Sequence, residues 1–217
     1  MRLLDAQIGK FIMAKTLILI PSRMSASRLP GKPLLTINNL SIISHVFKKA
    51  EETNIGEVVV ATEDQEILDD VKKNGGRAVL TSNTHKTGTD RIFEAYEKLN
   101  IKDIDFILNL QGDEPNIDKN DIINLNNFMI NSNSGIGTLA AEIKNDKMLI
   151  DQNIVKVITE TKLEKNNFPI ALNFTRDGFS RNDQNTYHHI GIYSYKTSTL
   201  KKFVSLDQTF KEKKNRL

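Results

Sequence analysis

Two short segments of this 217-residue chain carry side chains that together could handle a polyphosphate and a metal ion. The first, P-S-R-M-S-A-S-R-L-P-G-K-P-L at residues 21–34, brings Arg23, Arg28 and Lys32 close together in sequence. A guanidinium grips phosphate through a planar fork and an ammonium acts as a mobile point charge, so the trio suits a triphosphate. A Walker-type loop is excluded, because Gly31-Lys32 runs into Pro33 and the earlier glycine is missing. The second segment, L-N-L-Q-G-D-E-P at residues 108–115, sets Asp113 beside Glu114 and Gln111. Magnesium takes hard oxygen ligands, commonly one or two carboxylates plus substrate phosphates, and such an aspartate can supply one of them. Each segment also has an ordinary reading: a solvated basic turn, and a Gly-Asp turn that bonds its own backbone.

Which reading holds depends on the elements that carry the segments. Residues 15–20 (K-T-L-I-L-I) are a continuous apolar run, the signature of a strand buried on both faces, and the run halts at Pro21. Ser41–Glu52 places Ile42, Ile43, Val46, Phe47 and Ala50 on one helical face. Strand-like Glu57–Ala61, helical Asp64–Asn74, a short strand Arg77–Leu80, a helix Thr89–Leu99 and a strand Ile104–Leu110 follow. This alternation predicts an α/β fold with a mostly parallel sheet covered on both faces. In such sheets ligands collect outside the carboxyl ends of the strands, so the segments after Ile20, Ala61, Leu80 and Leu110 should share one rim. Both chemistry-bearing segments belong to it. Beyond about residue 120 a helix (Asp121–Ile130) gives way to strand-like runs at Gly137–Ile143, Ile154–Thr159, Ile170–Phe174 and Ile190–Tyr195. These predict a strand-rich lobe, about 120–190, that is inserted into the sheet or extends it.

Composition narrows the function classes. The chain has no cysteine, which excludes a disulfide framework, a thiolate metal site and a cysteine nucleophile, and makes the cytoplasm the default compartment. Its apolar runs are strand-sized, far short of the roughly 20 residues of a membrane helix. The net charge is +3, with the excess in Lys201, Lys202, Lys211, Lys213, Lys214 and Arg216. Without interleaved aromatics these read as a solvated face rather than a nucleic-acid platform. Residues 1–13 lack an export-signal core and read as an extension, or as a start placed too early.

The ordered set S-R-M-S-A-S-R-L-P-G-K-P-L, A-T-E-D, T-G-T-D-R (87–91), L-N-L-Q-G-D-E-P, N-I-V-K-V (153–157) and H-H-I-G-I-Y-S-Y (188–195) resembles one family. It is that of the 3-deoxy-manno-octulosonate (Kdo) cytidylyltransferases, the CMP-Kdo synthetases, and the likeness runs from about Leu17 to Leu217. It implies a Rossmann-like nucleotide-diphospho-sugar transferase fold, a single domain over 14–217, and a homodimer that could use the strand-rich lobe as its interface. It implies that CTP and Kdo are converted to CMP-Kdo and pyrophosphate, for lipopolysaccharide biosynthesis. Arg23, Ser27, Arg28 and Lys32 would hold the triphosphate, with Arg28 and Lys32 stabilising the departing pyrophosphate. Thr87, Gly88 and Thr89 would lie near cytosine and ribose, Asp113 would coordinate Mg2+, and Gln111, Arg176, His189 and Tyr193 would line the sugar-acid pocket. From the residues alone, His189 and Tyr193 are equally packing residues of a strand, and Arg176 is half of a surface ion pair.

Two departures from the family accompany the likeness. Ala26 stands where the family writes R-x-x-S-x-R, so a serine contact to phosphate is shifted or lost. The chain also ends with F-K-E-K-K-N-R-L, before the family's E-Q-L-R and I-D-T-x-E-D-L segments, which would bring sugar-contacting carboxylates and a second metal-binding aspartate. The expectation drawn from this is CTP binding with impaired turnover. The alternatives are another sugar nucleotidyltransferase, such as an acylneuraminate cytidylyltransferase, or a nucleotide-binding remnant without turnover.

Overall fold

The computed structural model describes residues 14–25, 29–164, 167–178 and 185–206. The expectations for residues 1–13, and those for Ser27 and Arg28, lie outside these described residues.

The fold grows around strand β1 (Thr16–Ser22), in which Leu17, Ile18, Leu19 and Ile20 are fully buried. Side chains alternate across a strand, so Ile18 and Ile20 enter one apolar layer while Leu17 and Leu19 enter the other. Each such burial contributes about 1.5–3 kcal/mol, which makes this segment the anchor of the sheet. After it come a small hairpin, β2 (Thr36–Ile37) and β3 (Leu40–Ser41), and helix α1 (Ile42–Glu51), capped by the Ser41 hydroxyl accepting from the Ser44 N–H. Then follow β4 (Gly56–Thr62), α2 (Gln65–Lys73), β5 (Ala78–Leu80), α3 (Gly88–Leu99) and β6 (Phe106–Asn109). Strands β5, β4, β1 and β6 are parallel neighbours in that order. Helices α1 and α2 cover one face with Val46, Phe47, Ile67 and Val71, and α3 covers the other with Ile92 and Ala95.

The remaining elements are α4 (Lys119–Asn131), β7 (Ile136–Ala141), α5 (Asp146–Ile150), β8 (Lys156–Thr159), β9 (Ala171–Thr175), β10 (Thr186–Lys196) and α6 (Thr197–Val204). Their strands join the same sheet by antiparallel pairing, giving the order β5-β4-β1-β6-β10-β8-β9 with β7 against β10. The long β10 is the spine of this half: its residues 193–196 pair with β6, residues 186–188 pair with β8, and β7 pairs with both parts across an irregularity between Ile190 and Tyr193. The strand-rich stretch thus continues the sheet.

β1 runs through Pro21 rather than halting before it. β6 pairs only as far as Leu19, so at Pro21 the strand has β4 alone for a neighbour, and the absent N–H breaks no ladder on the open side. Among the described residues no helix is long and apolar enough to cross a membrane.

Candidate active site

The basic loop leaves β1 at Arg23 and is closed on itself. The Gly31 N–H donates to the Met24 carbonyl at 3.0 Å, and Gly31 adopts a left-handed φ of 73°, which favours glycine. A 3₁₀ turn follows at Lys32–Leu34, with Pro33 buried at its start. That turn aims Lys32 across the carboxyl end of β1. Its Nζ sits 2.8 Å from Oδ2 of Asp113.

Asp113 gets there because the chain leaving β6 passes tightly over β1. Leu110 donates its N–H to the Leu19 carbonyl at 3.1 Å. A Cβ at Gly112 would lie 2.8 Å from the Pro21 carbonyl oxygen and 3.1 Å from Ile43 Cδ1, so only glycine permits the approach. The third wall comes from the segment after β5 and the first turn of α3, where the Thr87 hydroxyl caps the helix by accepting from the Asp90 N–H.

Together these segments enclose a cleft of about 300 Å³ lined by Arg23, Lys32, Thr87, Gly88, Gln111 and Asp113 among others. The sequence-selected basic and acidic turns therefore meet at a single site. Gln111 also donates to the Gly191 carbonyl at 2.9 Å, tying the cleft to β10. Thr89 does not line the cleft; its side chain hydrogen-bonds Tyr195 instead.

Three residues of the sugar-acid set are not among those lining this cleft and stand on β10 and just past the end of β9. His189 and Tyr193 have ring centroids 5.3 Å apart, and Phe174 meets the His189 ring edge-on at 4.9 Å. His189 is buried and shares a 3.0 Å hydrogen bond with the Thr138 hydroxyl. Burial, helped by the neighbouring His188, lowers its pKa to about 4, so it is neutral at physiological pH. Burial also pushes the Tyr193 phenol upward. Arg176 donates to the carbonyls of Gln152 and Asn153, each at 3.0 Å.

Several residues with no role assigned from sequence prove to build the cleft. Arg91, 3% exposed, lines it, donates to the Thr81 hydroxyl at 2.7 Å and pairs with Glu63. His85 and Lys86 line it as well. Glu94 accepts from the Ser82 N–H, from His85 and from Lys98. Burial opposes its ionisation, but the bonds from Lys98, the Ser82 N–H and His85 outweigh that and bring its pKa to about 2. Glu63 and Arg91 stand inside the A-T-E-D and T-G-T-D-R stretches, so the available signal was membership in those motifs.

The donor set decides what metal the cleft could hold. Asp113 presents a half-exposed carboxylate beside Lys32, and among the described residues no group of three or more His, Asp or Glu is placed to hold an ion alone. This suits magnesium carried mostly by phosphates and water, with Asp113 as a protein ligand.

Similarity to known proteins agrees with this architecture. A family model described as Cytidylyltransferase matches residues 17–217. The 3-deoxy-manno-octulosonate cytidylyltransferase of Rhodopseudomonas palustris is 43% identical over 204 residues, covering 94% of this chain and 82% of the relative. That of Thermodesulfovibrio yellowstonii is 43% identical over 208 residues, covering 88% and 79%. This chain belongs to the 3-deoxy-manno-octulosonate cytidylyltransferases. A solved CMP:2-keto-3-deoxy-manno-octonic acid synthetase complexed with CTP matches this cytidylyltransferase at a TM-score of 0.78 and 36% identity, over 89% of this chain and 79% of that one. At 11% identity, 4-diphosphocytidyl-2C-methyl-D-erythritol synthase from Anaerococcus prevotii shares the fold alone, with a TM-score of 0.59. The cytidylyltransferase is thus a nucleotidyltransferase with a Rossmann-like sheet and a cleft at the carboxyl ends of its parallel strands.

Proposed function

We propose that this chain transfers the cytidylyl group of CTP to the anomeric hydroxyl of Kdo, giving CMP-Kdo and pyrophosphate for lipopolysaccharide assembly. The observation that carries the reading is the Lys32–Asp113 contact, which joins the basic and acidic loops across one cleft with Arg23 beside them. In the reaction the anomeric oxygen forms a bond to the α-phosphorus, the hydroxyl gives up its proton, and the bond to the pyrophosphate oxygen breaks. Such transfers need alignment and charge compensation more than covalent help from the protein. Arg23 and Lys32, with Arg28, hold the triphosphate and offset charge on the departing pyrophosphate. Thr87 and Gly88, with Thr89 behind them, face the nucleoside, and Gln111 orients the acceptor. His189, Tyr193 and Arg176 complete the acceptor side, the last exchanging its carbonyl partners for the sugar carboxylate. Magnesium held by Asp113 supplies positive charge to the phosphates when bound. We place the enzyme in the cytoplasm as a homodimer, with residues 14–217 as one domain and the strand-rich stretch of about 120–190 at the interface.

The test is pyrophosphate and CMP-sugar formation from CTP with Kdo, an N-acylneuraminate and a sugar phosphate offered in competition. Kdo should be consumed first and by a wide margin. Preferential use of either other acceptor, or no product with any of them, would overturn the reading.

A further inference from the structure

We propose that the adjacent carboxylates Glu63 and Asp64, just past the end of β4, are positioning residues that each set one nucleotide-facing wall of the cleft. Neither lines the cleft, so each acts through another residue. The two side chains bond to different partners, Glu63 to Arg91 and Asp64 to the Met24 N–H, so these neighbouring residues serve different walls.

Asp64 serves the basic loop. It is the N-cap residue of α2, yet its side chain makes no capping bond. An N-cap aspartate ordinarily accepts from its own helix's first turn. Here Oδ2 instead accepts the Met24 N–H at 2.8 Å, forty positions away in sequence. Met24 is also the residue whose carbonyl receives the Gly31 N–H, so Asp64 grips the point at which the triphosphate loop closes.

Glu63 serves the opposite wall. It pairs with buried Arg91, which spends further donors on the Thr81 hydroxyl and the Ser82 carbonyl. Three residues along α3, Glu94 takes the Ser82 N–H at 2.9 Å. Ser82 is thereby held by both of its backbone groups, and the stretch that continues through His85, Lys86 and Thr87 is the nucleoside-facing wall. A bare ion pair would fix neither wall, whereas a carboxylate bonded to a backbone N–H or to a forked guanidinium fixes direction as well as distance.

This inference rests on the reading of the cleft as a CTP site. The experiment measures CTP, UTP and CMP affinity, steady-state KM and kcat, and thermal midpoint for the full chain and its variants. Asp64→Ala should weaken CTP by about tenfold and raise its KM alike, while CMP, which lacks the outer phosphates, changes by about twofold or less. Asp64→Asn keeps a carbonyl acceptor and should restore most of the loss. Glu63→Ala should weaken CTP and CMP by a similar factor of about ten and narrow the preference for CTP over UTP, with Glu63→Gln intermediate. Equal losses of CTP and CMP affinity in Asp64→Ala, a loss confined to CTP in Glu63→Ala, or a lowered midpoint with unchanged affinities, would overturn the proposal alone. A wild-type chain that binds no CTP would overturn the function reading, and this proposal with it.

Discussion

Lys32 and Asp113 hold each other at 2.8 Å with 31% and 54% of their side-chain surfaces exposed. A pair so open to water contributes at most about 1 kcal/mol to stability. Its geometry is therefore a matter of chemistry, and function and folding separate cleanly here. Asp113→Asn and Lys32→Met should each lower kcat/KM for CTP by about a hundredfold or more, the usual scale for removing one electrostatic contact to a reacting phosphate. Their melting temperatures should stay within about 3 °C of wild type. His189 presents the opposite case, because burial holds it neutral in the folded state with a pKa of about 4 against 6.5 when free. Between those pH values the unfolded chain binds the proton and the folded chain does not. The stability this residue contributes is complete above pH 6.5 and drains away as pH falls toward 4, by up to about 3 kcal/mol. Urea midpoints followed from pH 7 to 4 should fall less steeply in His189→Gln, since Thr138 keeps the Ile190 and Ile192 carbonyls as partners.

At the scale of elements, the turn leaving β6 is the piece least tolerant of change. Gly112→Ala puts a methyl 2.8 Å from the Pro21 carbonyl, a backbone atom of the central strand that cannot swing aside. The variant should lose about 1–3 kcal/mol in chemical denaturation, and its CTP affinity should fall further than that loss alone explains, because the displaced turn carries Asp113. This tightness is what joins the two chemical loops, and it explains what could be read in advance. Strands buried on both faces and helices with a single apolar stripe announce themselves locally, so β1, α1, β4, α2, α3 and β6 fall where their periodicity places them. The rule that ligands gather at strand carboxyl ends then puts Arg23, Lys32, Gln111 and Asp113 on one rim. Local pattern does not encode partners. Nothing in Thr186–Lys196 announces that β10 would pair with β6, β7 and β8, and the five-residue α5 is too short to show a period. Glu63, Asp64, Arg91 and Glu94 carried no assigned role as builders of the cleft, since their part rests on bonds such as Asp64 to Met24 and Glu63 to Arg91 that local pattern does not encode.

Across the whole molecule, the parallel half of the sheet supplies the cleft and the antiparallel half carries the other candidate acceptor residues, with the bond from Gln111 to Gly191 crossing between them. The cleft gathers Arg23, Lys32, Lys86 and Arg91 around it, a concentration of positive charge that favours an anionic ligand. Part of that charge is neutralised by Asp113 and Glu63, and a bound triphosphate would neutralise more. A ligand that binds only the folded state stabilises it by RT ln(1 + [L]/Kd), about 2.7 kcal/mol at a hundredfold excess over Kd. For a chain of this size each kcal/mol raises the melting temperature by about 2–4 °C, so saturating CTP with magnesium should raise it by about 5–10 °C. On the proposed reading inorganic triphosphate engages the basic loop without the nucleoside wall, and should give a smaller rise, one that shrinks steeply as salt screens the exposed cations. If the wall held by Arg91 and Glu94 faces the base as proposed, UTP fills the same phosphate positions with the wrong base edge and should fall between the two. A shift from inorganic triphosphate as large as that from CTP would mean that the wall formed by His85, Lys86, Thr87 and Gly88 takes no part in binding, and that the selectivity for cytosine lies elsewhere in the fold.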